Sequence, residues 1–484
     1  MGEAKRQALF RVDAGQGIGA GHLIRCQALA QALESQGWRI HLAGAPEGFA
    51  MLPLPSWPRI PLQGLDAEAE ATALAAALPE GVDLLVVDHY GRDAAFERAC
   101  RPWARHILVI DDLADRPHDC DWLLDATPFR MAESYAGLVP AGSGLLLGGE
   151  HALLRPGFSH ARWRRETIND AVQTLLVSLG ATDPGRYLPM VLQAIADSGY
   201  DRRVLAMLAP SAPHYADVML QLEAMGGAIL APDADAAAAL AGCDLAIGAG
   251  GVGLLERACL GLPSLLLGVA DNQRDNLAAV AAMGAAIVLP DLQPKAISRN
   301  LRRLLDDGRL CAELSRRNAL LCDGLGVWRV LLALQGGDLH LRRALPTDST
   351  RLLAWQTDPA TRRFARDANP PDPAKHEAWY SAKLADPLCL FHIVEQKGLP
   401  VGMLRLDWRK ERQGFEVSIA IDPAQHGNGL GAAALHLARL LVPQENLWAY
   451  VKPENAPSLR VFAKAGYVAS KEADWYFSQG RAVR

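Results

Sequence analysis

The chain has no run of eighteen or more apolar residues, the length a helix needs to cross a bilayer. Its first apolar stretch, inside MGEAKRQALFRVDAG, is far shorter than the core of a secretory signal. No C-x-x-C pair and no His/Cys cluster at ligand spacing occurs. The eight cysteines are scattered, which argues against a disulfide framework and against a zinc site, and no metal is expected. Also missing is any basic stretch long enough to neutralise a row of phosphates. With a formal net charge of -5, no nucleic-acid partner is expected. Internal repeats and low-complexity tracts are absent. The expectation is a reduced, cytoplasmic protein with no membrane partner.

What is present is ordinary for a soluble α/β protein, with 50% hydrophobic and 21% charged residues. At 484 residues the chain is too long for one core and implies two to four domains. Short aliphatic runs ending in glycine or acidic residues alternate with Ala/Leu-rich stretches at helical spacing. That is the pattern of βα units around a parallel sheet. Strands are expected at 8–12, 40–43, 84–87, 107–110, 174–179, 203–208, 245–248, 264–267 and 286–289. The Ala-rich stretch 234–241 reads as plain helix, and the basic segment 155–168 as an irregular divider between two sets of strands. The fold class expected is therefore α/β, with two Rossmann-like domains at 1–160 and 161–336 facing a cleft. Ligands in such sheets sit at the carboxyl ends of the strands. Near Gly336 and Gly337 the texture changes to a helix-rich opening, a Pro-rich loop at 369–373, and strands at 391–395, 401–406 and 415–421. Strands in close succession suggest an antiparallel α+β domain over 338–484.

The first motif is Gly17-Ile18-Gly19-Ala20-Gly21-His22-Leu23-Ile24-Arg25-Cys26, between the first strand and a helix running to about Gln36. Glycines at the turn let the backbone approach a ligand closely. His22 falls in the first helical turn, where the positive end of the helix dipole favours a neutral imidazole. A neutral imidazole at the floor of a cleft is what a general base requires. From spacing alone, a tight turn followed by a surface histidine is the better supported reading.

This run resembles the opening of the UDP-2,4-diacetamido-2,4,6-trideoxy-altropyranose hydrolases of pseudaminic-acid synthesis, which are similar to the GT-B glycosyltransferase of the peptidoglycan lipid intermediate. The resemblance implies that His22 is the catalytic base and that Gly19, Gly21 and Arg25 border the substrate. Further segments resemble the family in order: Val86-Val87-Asp88-His89-Tyr90, Ile110-Asp111-Asp112-Leu113-Ala114, Asp121-Trp122-Leu123-Leu124-Asp125, and Ser178-Leu179-Gly180-Ala181-Thr182-Asp183-Pro184. Two departures stand out, Asp125 for the usual Asn and Ala181 for a second glycine. Asp88, Tyr90, Asp111 and Ser178 become candidate substrate contacts. Taken singly, Asp88, Asp111 and Asp112 fit polar caps at the ends of buried strands equally well.

The second motif runs from Asp244 through Gly248-Ala249-Gly250-Gly251-Val252-Gly253 to Glu256-Arg257, as strand, glycine turn and helix. Free amides at such a helix start form an anion site suited to a diphosphate, with Gly250 and Gly251 at the turn. Glu256, about one turn in, is placed to accept ribose hydroxyls. Asn272 and Gln273 follow, with amides that can read a uracil edge or sugar substituents. The order A-G-A-G-G, E-R, G-L-P-S, A-D-N-Q resembles the same hydrolase group, except that Val252 and Gly253 supply no hydroxyl after the paired glycines. Diphosphate binding is then expected to rest on backbone amides alone.

The third motif, Asp422-Pro423-Ala424-Gln425-His426-Gly427-Asn428-Gly429-Leu430-Gly431, precedes a helix. It resembles the acyl-CoA loop of GNAT acetyltransferases, whose amides cradle the CoA pyrophosphate. That resemblance makes Gln425, His426, Gly427, Gly429, Gly431 and Asn455 candidate acetyl-CoA contacts. His426 stands at the usual Arg/Gln position, and Phe462 stands where many relatives carry a tyrosine that protonates the leaving thiolate. Tyr467 and Tyr450 are candidates for that role or core residues. Glu416 is a candidate base for the substrate amine, or a solvated carboxylate on a strand edge. His376 and Trp379, three apart on a helix, resemble an H-x-x-W element of sugar-amine acetyltransferases and fit a plain amphipathic face equally well.

The whole is expected to be two Rossmann-like domains in a GT-B arrangement followed by a GNAT domain. The function expected is N-acetylation of a UDP-4-amino-4,6-dideoxy sugar with acetyl-CoA and hydrolysis of the UDP-2,4-diacetamido-2,4,6-trideoxy sugar to free sugar and UDP, without a metal. The alternatives are a GT-B glycosyltransferase fused to an acyl-CoA-binding module, or an acyltransferase using another acyl group.

Overall fold

In the computed structural model, residues 5–15, 20–50, 52–166, 171–230, 235–290, 292–472 and 474–480 are described. The chain divides into two compact units, Met1–Val327 and Trp328–Arg484, and the division falls inside helix Gly326–Gln335.

The first unit holds two parallel sheets. One contains β1 (Gln7–Val12), β2 (Arg39–Gly44), β3 (Arg59–Pro61), β4 (Leu84–Asp88), β5 (Ile107–Ile110), β6 (Trp122–Asp125) and β7 (Gly144–Leu147), in the order β3-β2-β1-β4-β5-β6-β7. The other contains β8 (Thr174–Ser178), β9 (Arg203–Met207), β10 (Ala228–Leu230), β11 (Leu245–Ala249), β12 (Ser264–Leu267) and β13 (Ile287–Leu289), in the order β10-β9-β8-β11-β12-β13. Strands buried on both faces explain the unbroken aliphatic runs: every residue of β4 is buried. Alternation in β8 sends Leu175 and Val177 to a cluster with Val191, Ile195 and Ile297, and Leu176 to another with Phe158, Leu254 and Ala258. In each sheet the strand order reverses beside the first strand, between β1 and β4 and between β8 and β11. A crevice opens at such a point, outside the carboxyl ends of the strands.

The second unit carries β14 (Leu339–Arg343), β15 (Cys389–Gln396), β16 (Leu399–Arg409), β17 (Gly414–Ile421), β18 (Asn446–Tyr450), β19 (Val468–Ala469) and β20 (Trp475–Ser478), in the order β14-β15-β16-β17-β18-β20-β19. All pairings are antiparallel except β17 with β18, which are parallel and paired only from Gly414 to Glu416. Helices Ser349–Thr357 and Pro373–Leu384 cover one face through Leu352, Trp355 and Tyr380, packed on Phe391, Ile393 and Met403.

Several elements differ from the sequence expectation. After Gly337 the chain enters β14, whose Leu-His-Leu alternation has period two, before helix Ser349–Thr357 begins. The divider at 155–168 is largely helix Pro156–Arg164, started by a proline at its first turn. Its buried Arg162 donates to the carbonyls of Cys259, Cys322 and Ala319, so the basic character serves to cap carbonyls. Strands β3 and β10 have three residues each, too short to show a period. The alanine helix spans Ala236–Ala241, capped by Asp235, and Ala234 lies outside the described residues.

Gly336 and Gly337 are exposed and take φ of +68° and +119°, conformations open to glycine. Separate expression of 1–336 and 338–484 is expected to give two proteins that each melt cooperatively, because each sheet system has its own buried cluster. Aggregation of both pieces in calorimetry would contradict this.

Candidate functional site

At the carboxyl end of β4, Asp88 is fully buried. Helix Gly21–Ser35 starts beside it with no side-chain cap, and residues three apart on its first turn face the carboxylate. His22 Nδ1 lies 2.5 Å from Asp88 Oδ1. Two lone pairs at that separation repel, so the carboxylate favours a ring proton on Nδ1, with Arg25 Nη2 3.1 Å from the same nitrogen. Nε2 has no hydrogen-bond partner among the described residues. Arg25 grips the same carboxylate with both edges, Nε to Oδ2 at 2.7 Å and Nη2 to Oδ1 at 2.6 Å, and reaches Asp112 Oδ2 at 3.2 Å. Burial alone would raise the Asp88 carboxyl, but the Arg25 guanidinium and the hydrogen bonds from Arg25 and His22 outweigh it and hold the group well below the usual carboxylate range. The neighbouring Cys26 thiol is pushed well up by burial and by Asp88, and stays protonated. A carboxylate that fixes the tautomer and orientation of an imidazole is the arrangement of a base poised at Nε2.

Tyr90 stands edge-on to the His22 ring, with centroids 4.9 Å apart. Its hydroxyl donates to Asp112 Oδ2 at 3.4 Å and accepts from Asn272 Nδ2, also at 3.4 Å, which brings the second sheet's loop to the first. Burial, then Asp112, pushes the Tyr90 phenol up to about 12. Two further contacts join the halves. A Cβ on Gly21 would lie 3.1 Å from Val252 Cγ2, and Arg130 links Asp125 (2.6 Å) to Asp275 (3.2 Å). His22, Arg25, Asp88, Tyr90 and Asn272 are thus one constellation, with Gly21 beside the glycine turn. Asp111 faces inward instead, accepting from Ala114 N and the Tyr135 hydroxyl and pairing with Arg116. Gly19 lies outside the described residues.

The turn after β11 leads into helix Val252–Cys259, which has no side-chain cap at Gly251. The Gly250 amide is already taken by Gln273 Oε1 at 3.0 Å, and a Cβ on Gly251 would lie 3.7 Å from Gln273 Nε2. In this conformation Gln273 therefore closes part of the loop. Glu256 is buried, with Arg155 Nη2 at 3.4 Å, and burial pushes its carboxyl up against the pull of Arg155 and Arg257. Ser178, the register partner of Gly248, ends β8 beside this turn.

In the second unit, β17 loses its β18 partner after Glu416, so its segment 417–421 presents free backbone groups on that side among the described strands. An extended ligand can pair with such an edge. The turn that follows has Gly427 and Gly429 at φ +88° and +78°, and Gly429 precedes helix Leu430–Leu441. Gln425 Oε1 accepts from Asn428, His426 is exposed with Nε2 3.1 Å from Ile421 O, and Gly431 packs against Val461. Asn455 caps helix Ala456–Lys464 through Ser458 N. Glu416 is buried, with one oxygen on Arg366 (2.6 Å) and the other on Arg409 (2.9 Å), so both its lone-pair edges are engaged. His376 is buried, with Nε2 3.1 Å from Ser349 O and its ring stacked on Tyr380, while Trp379 lies under the Arg405 guanidinium. Phe462 and Tyr467 form a buried edge-on pair with centroids 5.0 Å apart. The Tyr467 hydroxyl has no partner among the described residues, and burial pushes it above its ordinary range.

Sequence reasoning missed a second charged group near the first turn. Buried Arg11 pairs with Glu70, which also holds Arg92, while Asp13 is paired with Arg11 and with His89. A charge inside the apolar run Ala-Leu-Phe-Arg-Val was the available signal, since a strand buried on both faces admits a charge only if it is paired.

Because folded Asp88 keeps its charge far below the value of about 3.9 for a free aspartate, its stabilising effect is complete above about pH 5. It is lost as pH falls toward the folded value. Asp88→Asn is expected to cost about 3 kcal/mol at pH 7, because Arg25 loses its main partner. Urea unfolding between pH 3 and 6 should show a flatter pH dependence in the variant, and identical slopes would contradict the assignment.

Comparison with known proteins agrees with the division seen in the structure. Residues 338–468 match the acetyltransferase (GNAT) domain. Spore coat polysaccharide biosynthesis protein SpsG of Bacillus subtilis is 29% identical over 195 residues, covering 39% of this chain and 57% of that protein. The UDP-2,4-diacetamido-2,4,6-trideoxy-beta-L-altropyranose hydrolase of Campylobacter jejuni is 31% identical over 180 residues, covering 37% of this chain and 61% of that protein. The chain thus spans 57% and 61% of the length of these two curated relatives. The crystal structure of Acinetobacter baumannii MurG has a TM-score of 0.51 at 16% identity, over 69% of this chain and 99% of that one, a likeness of fold. The chain joins an N-terminal region of GT-B-like fold, resembling the UDP-diacetamido-altropyranose hydrolase and SpsG, to a C-terminal GNAT acetyltransferase domain.

Proposed function

We propose that the chain is a bifunctional enzyme acting twice on one nucleotide sugar. The GNAT domain, 338–484, acetylates the 4-amine of a UDP-4-amino-4,6-dideoxy sugar that already carries an acetamido group at C2, with acetyl-CoA. The two Rossmann-like domains, 1–160 and 161–336, hydrolyse the resulting UDP-2,4-diacetamido-2,4,6-trideoxy sugar to free sugar and UDP, a step of pseudaminic-acid synthesis. One observation supports the reading: His22, held by Asp88, stands edge-on to Tyr90, whose hydroxyl accepts from Asn272 of the second sheet's loop.

Water gives its proton to His22 Nε2 as its oxygen attacks the anomeric carbon. The bond from that carbon to the diphosphate oxygen breaks, and UDP leaves with the electron pair. Asp88 stabilises the imidazolium, as an orienting carboxylate does in other His–Asp pairs. A single displacement inverts the anomeric carbon, and no metal enters the scheme. Arg25 and Tyr90 border the sugar, Asn272 its substituents and Glu256 the ribose. In acetyl transfer, the open edge of β17 takes the pantetheine chain and the turn at Gly427–Gly431 its pyrophosphate. Glu416 acts on the amine proton once the exposed Arg366 gives way. The compartment assigned is the cytoplasm, where both co-substrates are made.

Acetylation precedes hydrolysis in this reading. A site shaped for an acetamido group meets a free, cationic amine with donors of the wrong sign, and such mismatches separate substrates by orders of magnitude. Mass spectrometry of the UDP-4-amino sugar incubated with the full chain should show slow UDP release alone, and rapid release of UDP and diacetamido sugar once acetyl-CoA is added. His22→Ala is expected to slow UDP release by about 10²–10⁴ while acetyl transfer is unchanged. Near-normal release by that variant would remove His22 from the mechanism.

A further inference from the structure

The glycine turn of the second sheet has a buried cation beneath it. Arg257, on helix Val252–Cys259, is 1% exposed. Gly248 makes room for it, since a Cβ there would lie 2.4 Å from the guanidinium carbon. Nη2 donates to Ala249 O at 2.5 Å, while Nε is buried without a partner and Nη1 has none among the described residues. Burial lowers this group to about 10, against the pull of Glu256, so it remains a cation at neutral pH.

Nη1 borders a small niche. The Cβ that Gly253 lacks would lie 3.2 Å from Arg257 Nη1, 3.6 Å from Ser178 Oγ and 3.9 Å from Glu256 Oε2. The Ser178 hydroxyl has no partner among the described residues. The niche sits at the uncapped start of the helix, where amides point outward. Arg155, Arg257 and Glu256 together leave one positive charge in surplus there. A buried, incompletely paired guanidinium is unfavourable by itself and becomes favourable when an anion completes it.

We propose that Arg257 and Ser178, acting through the niche left by Gly253, form the subsite for the terminal phosphate of a nucleoside diphosphate. The subsite lies within the nucleotide site proposed above and rests on that reading. Ser178 supplies from the neighbouring strand the hydroxyl that Val252 and Gly253 do not. Arg257 supplies a charge fixed before the ligand arrives, so the site distinguishes a diphosphate from a monophosphate and neutralises the leaving group.

Calorimetric titration of the full chain with UDP and with UMP tests this. The wild type is expected to bind UDP more tightly than UMP, by about tenfold to a hundredfold, the size of a charge-assisted hydrogen bond. Arg257→Met should reduce that ratio to near one while leaving UMP affinity unchanged. Should Arg257→Met fail to fold, Gly253→Ala carries the test, because alanine favours the helix yet fills the niche. That variant should still melt cooperatively, lose the preference for UDP, and lose the UDP-dependent protection of amides 248–258 in hydrogen exchange. Retention of the full preference in a folded Gly253→Ala overturns the subsite alone. A wild type that binds neither nucleotide overturns the nucleotide reading, and the subsite with it.

Discussion

A buried carboxylate at the end of an apolar strand is the constraint on which the first unit depends. The run Leu84-Leu85-Val86-Val87 drives β4 into the middle of its sheet, and Asp88 is carried inside with it. A charge so placed is tolerated only with partners that match it. Helix Gly21–Ser35 supplies them, His22 and Arg25, and so can dock in one rotational setting only. That setting puts Gly21 against Val252 and turns His22 toward Tyr90. The interaction that stabilises the charge thereby also orients the His22 imidazole.

The second sheet handles its buried charge differently. Arg257 is compensated only in part, by Glu256 and one carbonyl, and Gly248 and Gly253 clear space around it. In the subsite proposed above, a phosphate completes it. Between the sheets, two polar contacts, Tyr90 to Asn272 and Arg130 to Asp275, stand beside the apolar approach of Gly21 to Val252. Exposed polar contacts of this kind contribute little stability each.

Much of this was legible in the sequence. Unbroken aliphatic runs located the inner strands, and the order of short motifs brought His22, Arg25, Asp88, Tyr90 and Asn272 to one place. What the sequence hid was mostly non-local. Glu70 sits in an alanine-rich helix and has no visible reason for being there until Arg11 and Arg92 are seen beside it. Arg257 looks like a helix surface residue until Gly248 shows the space made for it. His376, evenly balanced between function and packing, lies in the core against Ser349 and Tyr380. Short elements such as β3 and β10 had too few residues to declare a period.

The central claim is that water, activated at His22, attacks the sugar carbon and not the phosphorus. Hydrolysis of the diacetamido UDP-sugar in ¹⁸O-labelled water, with mass spectrometry of the released UDP, tests it most directly. UDP is read because free sugars exchange their anomeric oxygen with solvent. The account predicts UDP released without any added acceptor and free of label. Label in the UDP, or release only when an acceptor is supplied, would contradict it.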